Sequence, residues 1–159
     1  MKDKKKNHPN IKMMESFQHT GNITSGFTIN SAYVPAIMLH KKKYENRSYP
    51  IKPAYYALYC SFAKPKMLGE FYTSFPEMKE ITQQMVKTIE GKIVGILHVK
   101  QIYKKGDPDY PNDPYANGEY THAIDFIPIP TYIAGEHKRG QVNYMSLSEE
   151  TKKTLNRYI

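Results

Sequence analysis

The stretch "HKKKYENRSYPIK" at residues 40–52 sets one acid, Glu45, between three lysines and Arg47. On an extended segment, side chains two apart point the same way, so Glu45 and Arg47 are placed to pair. A carboxylate that holds an arginine orients its guanidinium, which can then fork onto a phosphate or a base edge. Lys42 brings a second, more mobile charge to the same place, flanked by Lys41 and Lys43. So many cations around Glu45 favour its ionised form, which suits it to pairing rather than to donating a proton. A plainer use of the same residues is a solvated turn fixed by surface ion pairs, each worth about 1 kcal/mol or less.

The whole chain narrows the choice. A length of 159 residues fits one domain with a real core. Lys and Arg number 23 against 15 Asp and Glu, a formal charge of +8, and an excess of that sign favours polyanionic partners. Cys60 is the only cysteine, which rules out an intramolecular disulfide or a cysteine-built zinc site and points to a reducing, cytoplasmic setting. The lysine-rich start "MKDKKKNHPN" lacks the apolar run of a signal peptide, and no stretch of about 18 apolar residues occurs, so neither secretion nor a membrane partner is expected. His8, His19, His122 and His137 are scattered without metal-ligand spacing, and no Walker, Rossmann or G-x-S-x-G motif is present, so no metal or cofactor is expected.

The elements that must position the basic run follow from periodicity and punctuation. Residues 1–14 form a flexible basic arm, because almost nothing apolar there offsets the entropy of ordering. "GFTIN" reads as a short strand, followed by a short apolar helix with Ser31 as N-cap and Pro35 in its first turn. "YYALYCSF" at 55–62 reads as a strand whose face of Tyr56, Leu58, Cys60 and Phe62 is core. Met78, Ile81, Met85, Val86 and Ile89 recur at helical spacing and stop at Gly91. "KIVGILHVKQIY" is a buried strand in which Gly95 marks a bulge or a close backbone approach. "KKGDPDYPNDPYANG" is a loop. "EYTHAIDFIPIPTYI" resumes extended structure that Pro128 and Pro130 would confine to a sheet edge or end early. A last short strand in "GQVNYMSL" and a terminal helix capped by Ser148 complete an α+β domain over 15–159.

The order of a short apolar helix, then Lys42, Glu45 and Arg47, then a Tyr-rich strand resembles the ASCH domain family of the PUA-like superfamily, whose signature runs G-x-K-x-x-E-x-R after a helix. "GKIVGILHVKQIY" is similar to that family's G-x-I-x-G strand, and "EYTHAIDFIPIP" with "KRGQVNYMSL" is similar to its closing segment. Two positions depart: His40 stands where the family has the glycine that ends the helix, and Tyr33 where it has a tryptophan. A histidine in that left-handed position costs about 1 kcal/mol. The resemblance implies a small PUA-like β-barrel of five or six strands flanked by two to four helices around a cleft.

It also implies a class of function: nucleic-acid binding, here to RNA or single strands, through Lys41, Lys42, Lys43 and Arg47. Related domains read a base in an aromatic pocket, for which Tyr33, Tyr55 and Tyr120 are the candidates among 14 tyrosines; a stacked base contributes ~1–3 kcal/mol. The family also holds amidohydrolases that use a Lys, a Thr and a Glu. Their Lys matches Lys42, but Glu45 and His98 occupy the other two positions, so the hydroxyl chemistry does not carry over. Lys42, Glu45 and His98 sharing one cleft would instead fit a hydrolase acting on RNA or a modified nucleoside, with His98 as general acid or base. A module whose basic face meets an acidic protein is the third expectation.

Overall fold

The computed structural model describes residues 22–135 and 144–159; the basic arm expected at 1–14, and His8, His19 and His137, lie outside them. Six strands form one mixed sheet in the order β2-β5-β4-β3-β1-β6: β1 Ser25–Asn30, β2 Tyr44–Arg47, β3 Ala54–Ser61, β4 Lys92–Lys104, β5 Tyr120–Ala134 and β6 Tyr144–Ser146. Among the described residues four α-helices accompany it: α1 Val34–Met38, α2 Pro65–Ser74, α3 Lys79–Ile89 and α4 Glu149–Asn156. The α+β class is therefore as expected. The sheet does not close into the expected barrel: no ladder joins its ends among the described residues, where β2 and β6 are the edges. It curls all the same. Arg47 on edge strand β2 reaches β1, four places away in the sheet, where its guanidinium donates to the Thr28 carbonyl at 3.0 Å and lies 4.4 Å from the Phe27 ring centre. A side chain spans the gap where a barrel would have a hydrogen-bonded ladder.

Alternation along the strands fills both faces. Leu58, Leu97, Val99, Ile124 and Phe126 join Phe27, Val34 and Ile37 in one core, while Ala57, Tyr59, Ile93, Ile96 and Leu155 build another on the opposite face. Both faces of β3 are thus buried, not one alone, and Phe62, expected in the core, lies past the strand end and is 69% exposed. Gly95 serves both expected uses: the ladder shifts register beside it, and a Cβ there would lie 2.4 Å from the Phe126 ring. Strand β5 runs on through Pro128 and Pro130 to Ala134. It sits inside the sheet, but β2 pairs only with Tyr120–Ala123, so the prolines fall where one side of β5 carries no described ladder.

Helix ends explain the local path. Ser31 does not cap α1; its buried hydroxyl accepts from the Ala63 amide at 3.1 Å, and Tyr33 holds the N-cap position. Helix α2 has no counterpart in the sequence reading, although Pro65 in its first turn is a start signal. Helix α3 stops as expected before Gly91, whose φ is 75°. Ser148 caps α4 by accepting from the Thr151 amide at 3.2 Å. After α1, His40 takes the left-handed conformation, φ 58°, and the Lys41 and Lys42 amides both donate to the Ala36 carbonyl at 2.9 and 3.0 Å. That reversal turns Lys42 inward.

Candidate functional site

Of the three consecutive lysines, Lys41 and Lys43 are exposed, whereas Lys42 is buried at 3% exposure. Its ammonium donates to the Tyr44 carbonyl and lies 3.4 Å from Glu45 Oε1. Glu45 Oε2 takes the Arg47 guanidinium at 3.2 Å, so one buried carboxylate holds two cations. Its Oε1 also accepts from the Asn46 amide at 3.0 Å. Burial pushes the Glu45 carboxyl up, but Lys42, Arg47 and that amide outweigh it, and the group ends below its ordinary value. Burial lowers the Lys42 ammonium from its ordinary value, against the partial support of Glu45. The pairing expected of Glu45 and Arg47 is present. The guanidinium is aimed into the fold, at Thr28 and Phe27, rather than out as a phosphate fork.

Above Lys42 opens a cleft of about 310 Å3. Its ammonium lies 5.6 Å from the ring centres of both Tyr33 and Tyr115. Tyr33 is braced edge-on by Phe71 of α2, ring centres 5.3 Å apart, and Tyr115 lies flat on Phe75, 4.2 Å apart with planes 2° off parallel. The result is a slot with aromatic walls and a polar floor. Burial raises the Tyr115 phenol to about 12 and also raises Tyr33, in each case with help from nearby carboxylates, so both rings stay neutral at pH 7. One lysine faces two carboxylates, Glu45 and Glu70, in this lining. The floor is not the cationic surface expected from the sequence, because α2 contributes Glu70 and Glu45 already neutralises a charge.

Tyr115 is held by a residue the sequence reading passed over. Asn46 donates from its carboxamide to the Tyr115 carbonyl at 2.7 Å, and its oxygen accepts from the Asn117 and Gly118 amides at 3.0 Å each and from the Thr121 hydroxyl at 2.7 Å. That one side chain seats the 105–119 loop on β2. Beside it, His122 is 1% exposed; its Nε2 accepts from the Ile51 amide at 2.8 Å, which leaves Nδ1 to donate to the Glu45 carbonyl at 3.0 Å. Burial lowers its pKa to about 4, in keeping with a neutral ring.

The remaining expected residues stand elsewhere. His98 does not join Lys42 and Glu45: its strand neighbours Leu97 and Val99 point into the core beneath the cleft, so alternation turns His98 to the other face. There it stacks on Tyr55, ring centres 4.1 Å apart, and pairs across the ladder with Asp125. Tyr55 shares that face, and Tyr120 is buried against Ile102. Of the three expected tyrosines only Tyr33 lines the cleft; Tyr115 and Phe75 supply the rest. Among the described residues no group of three or more His, Cys, Asp or Glu could hold a metal ion, and no helix is long and apolar enough to cross a membrane. No protein-family model matches the sequence, and no curated protein matches it.

Proposed function

We propose that this chain is an ASCH-like, PUA-type domain that binds RNA or another single strand by taking one unstacked base into the cleft between Tyr33 and Tyr115. The observation that carries this reading is the Lys42 ammonium set 5.6 Å from both rings. A base presents a flat apolar face to the rings and hydrogen-bonding edges to the floor, where Lys42 donates and Glu45 accepts. A phosphate dianion fits less well, since Glu45 and Glu70 face it. The exposed Lys41 and Lys43 give the strand a cationic approach, and the bridged curl of the sheet is the open counterpart of the family's barrel. We place the protein in a reducing, cytoplasmic setting on the strength of its single cysteine, Cys60, which is buried.

Fluorescence anisotropy with labelled single-stranded RNA tests the reading. Affinity should fall steeply with salt, and Tyr33→Ala should weaken binding roughly 5- to 150-fold while Tyr55→Ala leaves it unchanged. Equal losses in the two variants would sink the cleft assignment. A second reading, hydrolysis of RNA or an acylated nucleoside, draws on the buried Lys42–Glu45 pair but has to run without His98. Turnover of either substrate that disappears in Lys42→Met would establish it in place of pure binding. Capture of an acidic protein that survives nuclease treatment, with no RNA binding, would replace both.

A further inference from the structure

Tyr33, Glu45 and Asn46 are shared between the aromatic slot and a second chamber of about 440 Å3, so the two adjoin across these side chains. The charge changes sign across that divide. The slot has one lysine against two carboxylates, whereas the second chamber has Arg47 and Lys64 against Glu45 alone. Its lining includes Phe62, the most exposed large hydrophobic side chain among the described residues at 69%. The Phe62 ring stands 3.4 Å from where a Cβ on Gly91 would be, so the turn after α3 lies against one side of it. Lys64, two residues on, is exposed and makes no ion pair among the described residues.

We infer that the second chamber receives the next nucleotide of the same strand, with its base stacked on Phe62 and the linking phosphate beside Lys64. The inference rests on the base-binding reading of the slot and extends it: the ligand is an oligonucleotide, not a free nucleoside. A cationic pocket beside an exposed aromatic ring matches what a sugar-phosphate backbone and a second base present together. Arg47 adds positive charge to the chamber wall while its guanidinium stays engaged with Glu45 and Thr28. The sign change fixes the order across the two chambers, because the phosphate is repelled from Glu70 and attracted to Lys64.

Binding is measured for labelled mixed-sequence RNA and DNA hexamers and for the four nucleoside monophosphates. Wild type should prefer the hexamer by at least tenfold, on the order of one stacking contact. Phe62→Ala should remove most of that preference without altering monophosphate binding; Phe62→Tyr should restore it, and Lys64→Gln should weaken hexamer binding and flatten its salt dependence. Tyr33→Ala should weaken both ligands. Equal wild-type affinity for hexamer and monophosphate overturns the second subsite, as does an unchanged hexamer affinity in Phe62→Ala while Tyr33→Ala still weakens binding. Failure of wild type to bind either ligand overturns the slot reading itself, and the second subsite with it. Phe62 and Lys64 are exposed, and a thermal melt matching wild type confirms that each variant is folded.

Discussion

The protein assembles a tyrosine, a lysine, a carboxylate and a histidine twice, on opposite sides of its sheet. Tyr33, Lys42 and Glu45 line the cleft, with His122 bonded to the Glu45 carbonyl; on the far face stand Tyr55, Lys100, Asp125 and His98. The ion pairs are even of similar length, 3.4 Å for Lys42–Glu45 and 3.2 Å for Lys100–Asp125. They differ in water. The Lys42 and Glu45 side chains are 2% and 8% exposed, those of Lys100 and Asp125 44% and 59%. An exposed pair at that distance is screened and worth little, while a buried one leaves a costly orphan when a partner is removed. Distance therefore does not mark the site; desolvation beside a concavity does.

The largest effect should come from Glu45→Gln. It deprives two cations of their shared carboxylate at once, and breaking a buried pair in that way costs about 3–5 kcal/mol. Urea melts at pH 7 measure it. A loss below about 1 kcal/mol would mean that water reaches Lys42 and Arg47, and the contrast between the two faces would collapse.

Acid should act on the buried histidine next. With its folded pKa lowered to about 4 from 6.5, His122 stays neutral in the native state while the unfolded chain takes up the proton. The unfolded state then binds more protons across that interval, so stability is full above pH 6.5, falls as pH drops, and levels off below about 4. At about 1.4 kcal/mol per pH unit the loss is about 3 kcal/mol. Glu45, lowered from 4.5, adds its own loss only below that value, and Glu90, raised from 4.5 by burial, gains stability as pH falls just above it, so the His122 share is read as the difference from its Gln variant. His122→Gln should flatten the slope there. A slope that survives His122→Gln would assign it to another group.

Chain-local features of this arrangement were legible and chain-distant ones were not. Lys42, Glu45 and Arg47 lie within six residues, and a left-handed turn at His40 was expected from the resemblance, so their grouping could be read directly. Asn46 could not, because its partners Tyr115, Asn117, Gly118 and Thr121 lie 69 to 75 residues away. Nothing in "YENR" marks the asparagine as a loop anchor. Tyr115 had one signal: an aromatic in a long Pro- and Asn-rich loop, where loops of that length are commonly functional. His98 was placed beside Lys42 by matching a family position, yet strand alternation between Leu97 and Val99 already turned it away. The sheet's open edge had no local signal either, since Arg47 spans the gap to a strand 19 residues earlier.

The smallest effect belongs to the far face and is the sharpest control. A double-mutant cycle on Lys100→Ala and Asp125→Ala should give a coupling of about 0–1 kcal/mol, because both ends are solvated and each side chain loses rotamer freedom to hold the pair. Raising salt from 0.1 M to about 1 M shortens the screening length from roughly 10 Å to 3 Å and should erase what coupling there is. The Lys42–Glu45 pair, shielded from ions by Tyr33 and Tyr115, should keep its coupling over the same range. If the Lys100–Asp125 coupling matched it in size and persisted in salt, the two faces would be electrostatically equivalent. Concavity alone would then have to distinguish them.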